Sequence, residues 1–293
     1  MPKQAENTRP AHAQRMKQPA QKRRFISSAE ILLVRKDMGD IWAKNSQRVL
    51  LMLLPLTLAV GLPVVYFAAI SLLPVEAGAK MPQALLNLLP RYAVGLDYRQ
   101  TWLVAFTDLL CPLLLSCVPI LTAAASASFA FVTERERGTL ETLLLTSLDA
   151  KSVFHAKVTG CTILSVLISA AAFLMFFLTA FIADLFMGTP VFFSLEWLAL
   201  LVLILPVLSF FSVNFVALII TRVHSTVESL QTMGYLILPV TILYLVQFTG
   251  MFRVNFWVLL ILALVLGTAD IVLFNMAARS FVPEKLLEDR VEE

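Results

Sequence analysis

Six stretches of this sequence run for 23 to 30 residues with one charged residue at most: Val49–Leu73, Leu103–Val132, Val158–Ala183, Trp197–Ile220, Leu230–Phe252 and Val254–Met276. A helix needs about 20 apolar residues to cross the hydrocarbon core of a bilayer. Inside that core no water meets the backbone, so a spanning segment is either a helix or a strand of a closed barrel. Barrel strands alternate apolar and polar side chains over about ten residues, whereas these runs are continuously apolar. The fold class expected is therefore an all-α integral membrane protein with six transmembrane helices. Composition agrees: 15% of the residues are charged, against about 25% in soluble domains.

Lysine and arginine set the orientation, because loops on the cytosolic side of a membrane are enriched in them. Nineteen of the 23 fall before the first run, after the second, after the fourth or after the sixth. Lys80, Arg91, Arg99 and Arg253 fall on the other side. Six spans with both termini cytosolic satisfy this bias. Trp102, Trp197 and Trp257 each open an even-numbered span, which puts all three at the outer interface where aromatic belts form.

The chain divides accordingly into a tail (1–26), an amphipathic helix (27–48), a six-span domain (49–283) and a C-terminal tail (284–293). Met1–Arg24 is rich in Gln, Lys, Arg, Pro and Ala, and reads as a disordered cytosolic tail. Its Lys22, Arg23 and Arg24 either meet anionic lipid or end a solvated tail. In the next segment Ser27 and Glu30 have capping-box spacing. Ile31, Val34, Met38, Ile41 and Trp42 fall on one helical face, with Arg35, Lys36, Asp37, Asp40 and Lys44 elsewhere. This pattern is expected of a helix lying in the membrane interface. Pro74–Thr101 forms a long outer loop with a short apolar piece around Ala84–Leu89.

Catalytic motifs are missing. No glycine is followed by lysine, so there is no phosphate-binding GxxxxGK loop. His12, His155 and His224 are isolated, and HExxH and GxSxG do not occur. The sequence therefore assigns no catalytic, cofactor-binding or metal-ligating residue, and an enzyme is not expected. Cys111, Cys117 and Cys161 lie in apolar runs and read as small apolar side chains.

Asp108, Asp184 and Asp270 lie in or beside spans, where burying an acid is costly. Asp108 and Asp184 fall near the outer interface. Asp270 is deeper, and reads either as a packing hydrogen bond or partner of Arg279, or as a coupling residue. Prolines recur inside the runs, at positions 55, 63, 112, 119, 206 and 239; they either bend functional helices or reflect the frequency of proline in membrane helices. Small residues crowd Thr122–Phe131, "TAAASASFAF", which predicts a close helix–helix contact on the second span.

One short stretch between the second and third runs is amphipathic. Glu134–Arg137 would carry the second helix into water, Gly138 permits a turn, and Leu140, Leu143 and Leu144 follow at helical spacing. A helix so short is marginal alone, so its leucines need a partner surface.

The segment "ERERGTLETLLLTSLDAKSVFHAKV" resembles the cytosolic signature of the ABC-2 permeases, the membrane subunits of ATP-driven exporters. Glu136, Arg137, Gly138, Thr139, Leu140, Glu141, Leu143, Leu144, Thr146 and Lys157 match that pattern. Ser147 stands where many members have proline. "FNMAARSFVPEKLL" is similar to the ending of such permeases, and the resemblance extends over roughly Ala29–Leu287. It implies that the hairpin is a coupling helix seated in a groove of a separate ABC ATPase subunit. It also implies that the amphipathic helix (Ile31, Val34, Met38, Ile41, Trp42) is a connecting helix buttressing that contact. ATP and Mg would then belong to the partner chain, with no cofactor in this one. A second permease subunit, identical or different, would complete the path through membrane lipid, and nucleic acid has no place. The implied location is a cell membrane, of bacterial cytoplasmic type. A different class of function stays open: an ion-coupled secondary transporter using Asp270.

Overall fold

The structure is a computed structural model describing residues 28–72, 80–90, 93, 95–136, 150–189, 194–219, 223, 225–249 and 254–280. Those residues form helices and connecting turns with no strand among them. Six helices are long and apolar enough to cross a membrane: Asn45–Leu72, Tyr98–Glu136, Lys151–Met187, Leu195–Ile219, Thr226–Gln247 and Phe256–Arg279. They are called spans one to six here, and each covers most of one apolar run. The chain is an all-α, multi-pass membrane protein.

A separate helix, α1 (Ser28–Ala43), precedes span one. Contacts between loops sort the two ends of the bundle. At the end carrying α1, the Thr226 hydroxyl of span five donates to Glu136 at the end of span two. At the far end, the Gln100 amide at the start of span two donates to the Met187 carbonyl closing span three (2.8 Å). There too the Tyr66 hydroxyl of span one reaches the Trp102 carbonyl. The short helix Gln83–Leu86 lies beside this end, where Met81, Leu88 and Leu89 pack on Val104, Ala105 and Leu109.

Span two is the centre of the bundle. In its most apolar stretch 72% of the residues are buried, against 11% in span six. The small residues explain this: Ala123, Ala124, Ser126, Ala127 and Ser128 leave no surface exposed. With nothing larger than a hydroxymethyl group projecting, neighbouring backbones approach closely, and dispersion contacts replace the hydrophobic effect that lipid cannot supply. The close contact expected from "TAAASASFAF" thus lies within one chain. Hydroxyls tie the same region: Thr122 bonds Ser165 (2.8 Å) and Ser169 (3.1 Å) of span three, and Ser165 donates to Ser209 of span four (3.1 Å). Cys111, Cys117 and Cys161 are all free and buried.

Three prolines leave a common mark. The helix widens to π geometry at Thr57–Gly61, Phe106–Leu110 and Leu200–Ile204, each just ahead of Pro63, Pro112 or Pro206. Proline lacks the N–H that would bond the carbonyl four residues back, and its ring collides with that carbonyl. A wide turn relieves the collision. Pro55, Pro119 and Pro239 sit inside ordinary α-helix instead. A fourth π segment, Ser128–Val132, has no proline nearby and adjoins the site described next.

Candidate functional site

The end of the bundle that carries α1 is built around one buried lysine. Lys157, near the start of span three, is 1% exposed. Its ammonium lies 2.8 Å from Glu134 at the end of span two and 3.1 Å from Asp37 in α1. It also donates to the Ala130 carbonyl at 3.1 Å and stands 5.8 Å from the centre of the Phe131 ring. An ammonium has three N–H donors, and these three oxygens satisfy them. The Ala130 carbonyl belongs to the π segment, whose wide turn frees a carbonyl from the regular helical ladder.

Asp37 reaches the lysine because α1 packs against span three. Leu33, Asp37 and Ile41 are the buried face of α1, with Val34 and Met38 half-buried beside them. Val34 lies where a side chain on Gly160 would begin, 3.4 Å from an ideal Cβ. Of the face expected for the connecting helix, Ile41, Val34 and Met38 therefore meet protein, whereas Ile31 and Trp42 point outward, 56% and 39% exposed. The helix thus packs one face on the bundle and leaves the other open. Asp37, placed among the polar residues by periodicity, is in fact interior. Burial holds its carboxyl above the ordinary aspartate range, and Lys157 pulls it back down.

The turn Thr133–Glu136 makes a second set of contacts. Glu136 accepts from the backbone N–H and the hydroxyl of Thr226 (2.9 Å for the hydroxyl) at the start of span five. Arg135 donates to the Val223 carbonyl at 3.3 Å, and Thr133 bonds Thr226 through their hydroxyls. One level deeper, Ser128 and Ser229 join at 2.7 Å. The charged residues that open the hairpin thus divide their work: Glu134 holds Lys157 of span three, which in turn holds Asp37 of α1, while Arg135 and Glu136 hold the connection into span five. Each ion taken from water costs several kcal/mol, so the buried triad is stable only with all three partners present.

Of the residues matched to the coupling helix, Glu136 has this place; Arg137, Gly138, Thr139, Leu140, Glu141, Leu143, Leu144 and Thr146 lie outside the described residues, as do Ser27 and both expected tails. The triad itself was not read from the sequence as a unit. Its signal was Lys157, a cation immediately before an apolar run and in need of an anion. The intramembrane acids are spread apart. The Asp184 carboxylate accepts from the Thr189 hydroxyl at 2.6 Å. Asp108 and Glu196 line a small pocket at the far end with Trp197 and Tyr244. Asp270 meets the Asn214 side chain of span four and makes no ion pair with Arg279. No group of three or more His, Cys, Asp or Glu side chains gathers among the described residues.

An apolar cavity of about 330 Å³ opens between spans one, two and five, lined by Leu54, Pro55, Leu121, Thr122, Met233 and Ile237 among others. No protein-family model, curated protein or solved structure matches this chain.

Proposed function

We propose that this chain is the membrane-spanning permease subunit of an ABC exporter of the ABC-2 type, driven by a separate ATPase that docks on the hairpin after span two. The observation that carries this reading is the Lys157 triad. A subunit moved by a partner's ATP cycle needs its docking segment fixed to the spans that must move. Glu134, at the base of the hairpin, ties it to Lys157 of span three and through that cation to α1, while Glu136 and Arg135 tie it to span five and the connection before it. A push on the hairpin from outside the membrane would reach span three, α1, span five and the connection between spans four and five through short polar contacts. The resemblance of Glu136–Thr146 to the coupling-helix signature names the source of that push.

In this reading both termini are cytosolic, in a bacterial cytoplasmic membrane, and the chain itself hydrolyses nothing. ATP and Mg reside on the partner, and a second permease subunit completes the path. The apolar cavity, whose volume lies at the low end for small-molecule sites, suits a lipophilic cargo.

The test is co-purification with a soluble ABC ATPase subunit, together with ATP-driven transport. Leu143→Asp puts a charge into the proposed docked face and is expected to abolish the complex, while membrane insertion and the six-span fold stay intact. A normal complex and normal transport in Leu143→Asp would refute the assignment.

A further inference from the structure

Span six is held to the rest of the protein by a thin stripe. Leu259, Asp270 and Ala277 are its fully buried residues, and its lipid-facing side carries exposed Ile261, Leu264, Val265, Ile271 and Val272. An acid therefore occupies the middle of the narrow face by which the helix docks. Asp270 is 2% exposed and Asn214 of span four, the side chain it meets, is fully buried. None of the four polar atoms of this pair completes a hydrogen bond in the structure.

Among the described residues Asp270 has no salt-bridge partner. Span four from Leu205 to Ile219 contains no charged residue, and neither does the π segment Leu200–Ile204. Glu196 lies at the far end of span four and is itself an acid. On span three His155 packs against the Phe274 ring, one turn along span six, while Lys157 is taken up by Asp37 and Glu134. Arg279 is in the last turn of span six. An ionised carboxylate placed here would lack both water and a cation, a condition proteins avoid by neutralising the group.

We infer that Asp270 and Asn214 form a proton-binding site between spans four and six, in which Asp270 carries its proton and the neutral acid pairs with the amide to hold span six on the bundle. The chemistry of the pair is complementary. An amide offers one acceptor oxygen and two N–H donors; only the protonated acid offers both an O–H donor and a carbonyl acceptor in return. Loss of the proton leaves an anion in an apolar seam that the amide N–H alone can meet, with the amide oxygen left without a donor from the acid, and favours release of span six. The ligand is the proton alone, with no bound metal cation. This inference does not depend on the reading of the chain as an exporter subunit.

Infrared spectroscopy on the full chain in lipid nanodiscs tests it. At neutral pH the wild type is expected to show the carbonyl stretch of an un-ionised carboxylic acid, shifted by carbon-13 labelling of aspartate. The band is expected to vanish in Asp270→Asn and to survive in Asp184→Asn. Asn214→Leu, which keeps the acid and removes its partner, should move the band to higher frequency. Heat stability should fall in the wild type as pH rises above the ordinary aspartate range, and fall less steeply in Asp270→Asn, whose two amides still pair. If Asp270→Asn does not fold, the labelled wild type and Asn214→Leu decide the question. Absence of the band at neutral pH, its persistence in Asp270→Asn, or its appearance only when choline replaces sodium would each overturn the inference, the last by showing a metal cation in the site.

Discussion

Replacing Lys157 with methionine removes the cation from the triad while preserving most of its apolar length. The side chain is 0% exposed and its two carboxylate partners are 8% and 19% exposed. Removing one partner of a buried ion pair costs about 3–5 kcal/mol, because the other charge stays buried without compensation. Glu134, at 19%, retains some access to water, which places the expected loss near the lower bound, about 3 kcal/mol. The lost bond to the Ala130 carbonyl is part of that figure, at about 1 kcal/mol. Lys36 and Asp40 on the same helix supply a control. They stand 4.0 Å apart and are 56% and 63% exposed, so Lys36→Met should change stability by about 0.5 kcal/mol at most. The assay is unfolding of the purified chain in mixed micelles by titration with a denaturing detergent. Combining Lys157→Met with Asp37→Leu and Glu134→Gln should restore most of the loss. The pH dependence has a definite sign. Without Lys157 only the weaker pull of Lys36 opposes the burial of Asp37 and the repulsion from Glu134, so its folded-state value rises further above the unfolded one. The variant is then most stable in acid and weakens as pH climbs through that raised value. A Lys157→Met protein within 1 kcal/mol of wild type, or no recovery in the triple variant, would refute the reasoning.

Gly160→Ala should be tolerated, since its Cβ meets Val34 at ordinary contact distance; Gly160→Leu should lever α1 off span three, read as new protease cleavage within Ser28–Ala43. Single cysteines introduced across Pro74–Thr101 should react with an impermeant maleimide added outside intact cells, while those across Thr133–Lys157 should not. The reverse pattern would invert the orientation argued from lysine and arginine.

The spans were legible because each is a local property: twenty apolar residues in a row need no knowledge of their neighbours. The same holds for the small-residue stretch of span two, but not for the wide turns that precede Pro63, Pro112 and Pro206, since Pro55, Pro119 and Pro239 sit in ordinary α-helix. Asp37 was illegible for the opposite reason. Its helix has polar residues on most faces, and periodicity alone assigns it to water. What makes it interior is Lys157, 120 residues away in the sequence, and pairing across such a distance leaves no trace in one sequence. Glu136 illustrates a milder version. It was matched as a docking residue, and it also anchors Thr226, whose own segment carries no recognisable signature. The burial of Asp270 was half legible: its depth in the run was plain, but not that the group facing it is an amide rather than Arg279.

The hydroxyls of span two have a consequence for how the chain enters its membrane. Ser116 donates to the Pro112 carbonyl, Thr122 to Val118 and Ser128 to Ala124, each one turn back along the same helix. Ser126 does the same with Thr122. Span two leaves the ribosome before the spans that later surround it, and for that interval its serines and threonines face lipid. Because each already has an acceptor in its own backbone, the helix can wait there without an unsatisfied polar group. When spans three and five arrive, the oxygens of Ser116, Thr122 and Ser128 still have lone pairs with which to meet Ser165, Ser169, Tyr244 and Ser229. The central helix is in this sense self-sufficient at birth and becomes a hub only as its neighbours are delivered, an order of assembly written into the spacing of four hydroxyls.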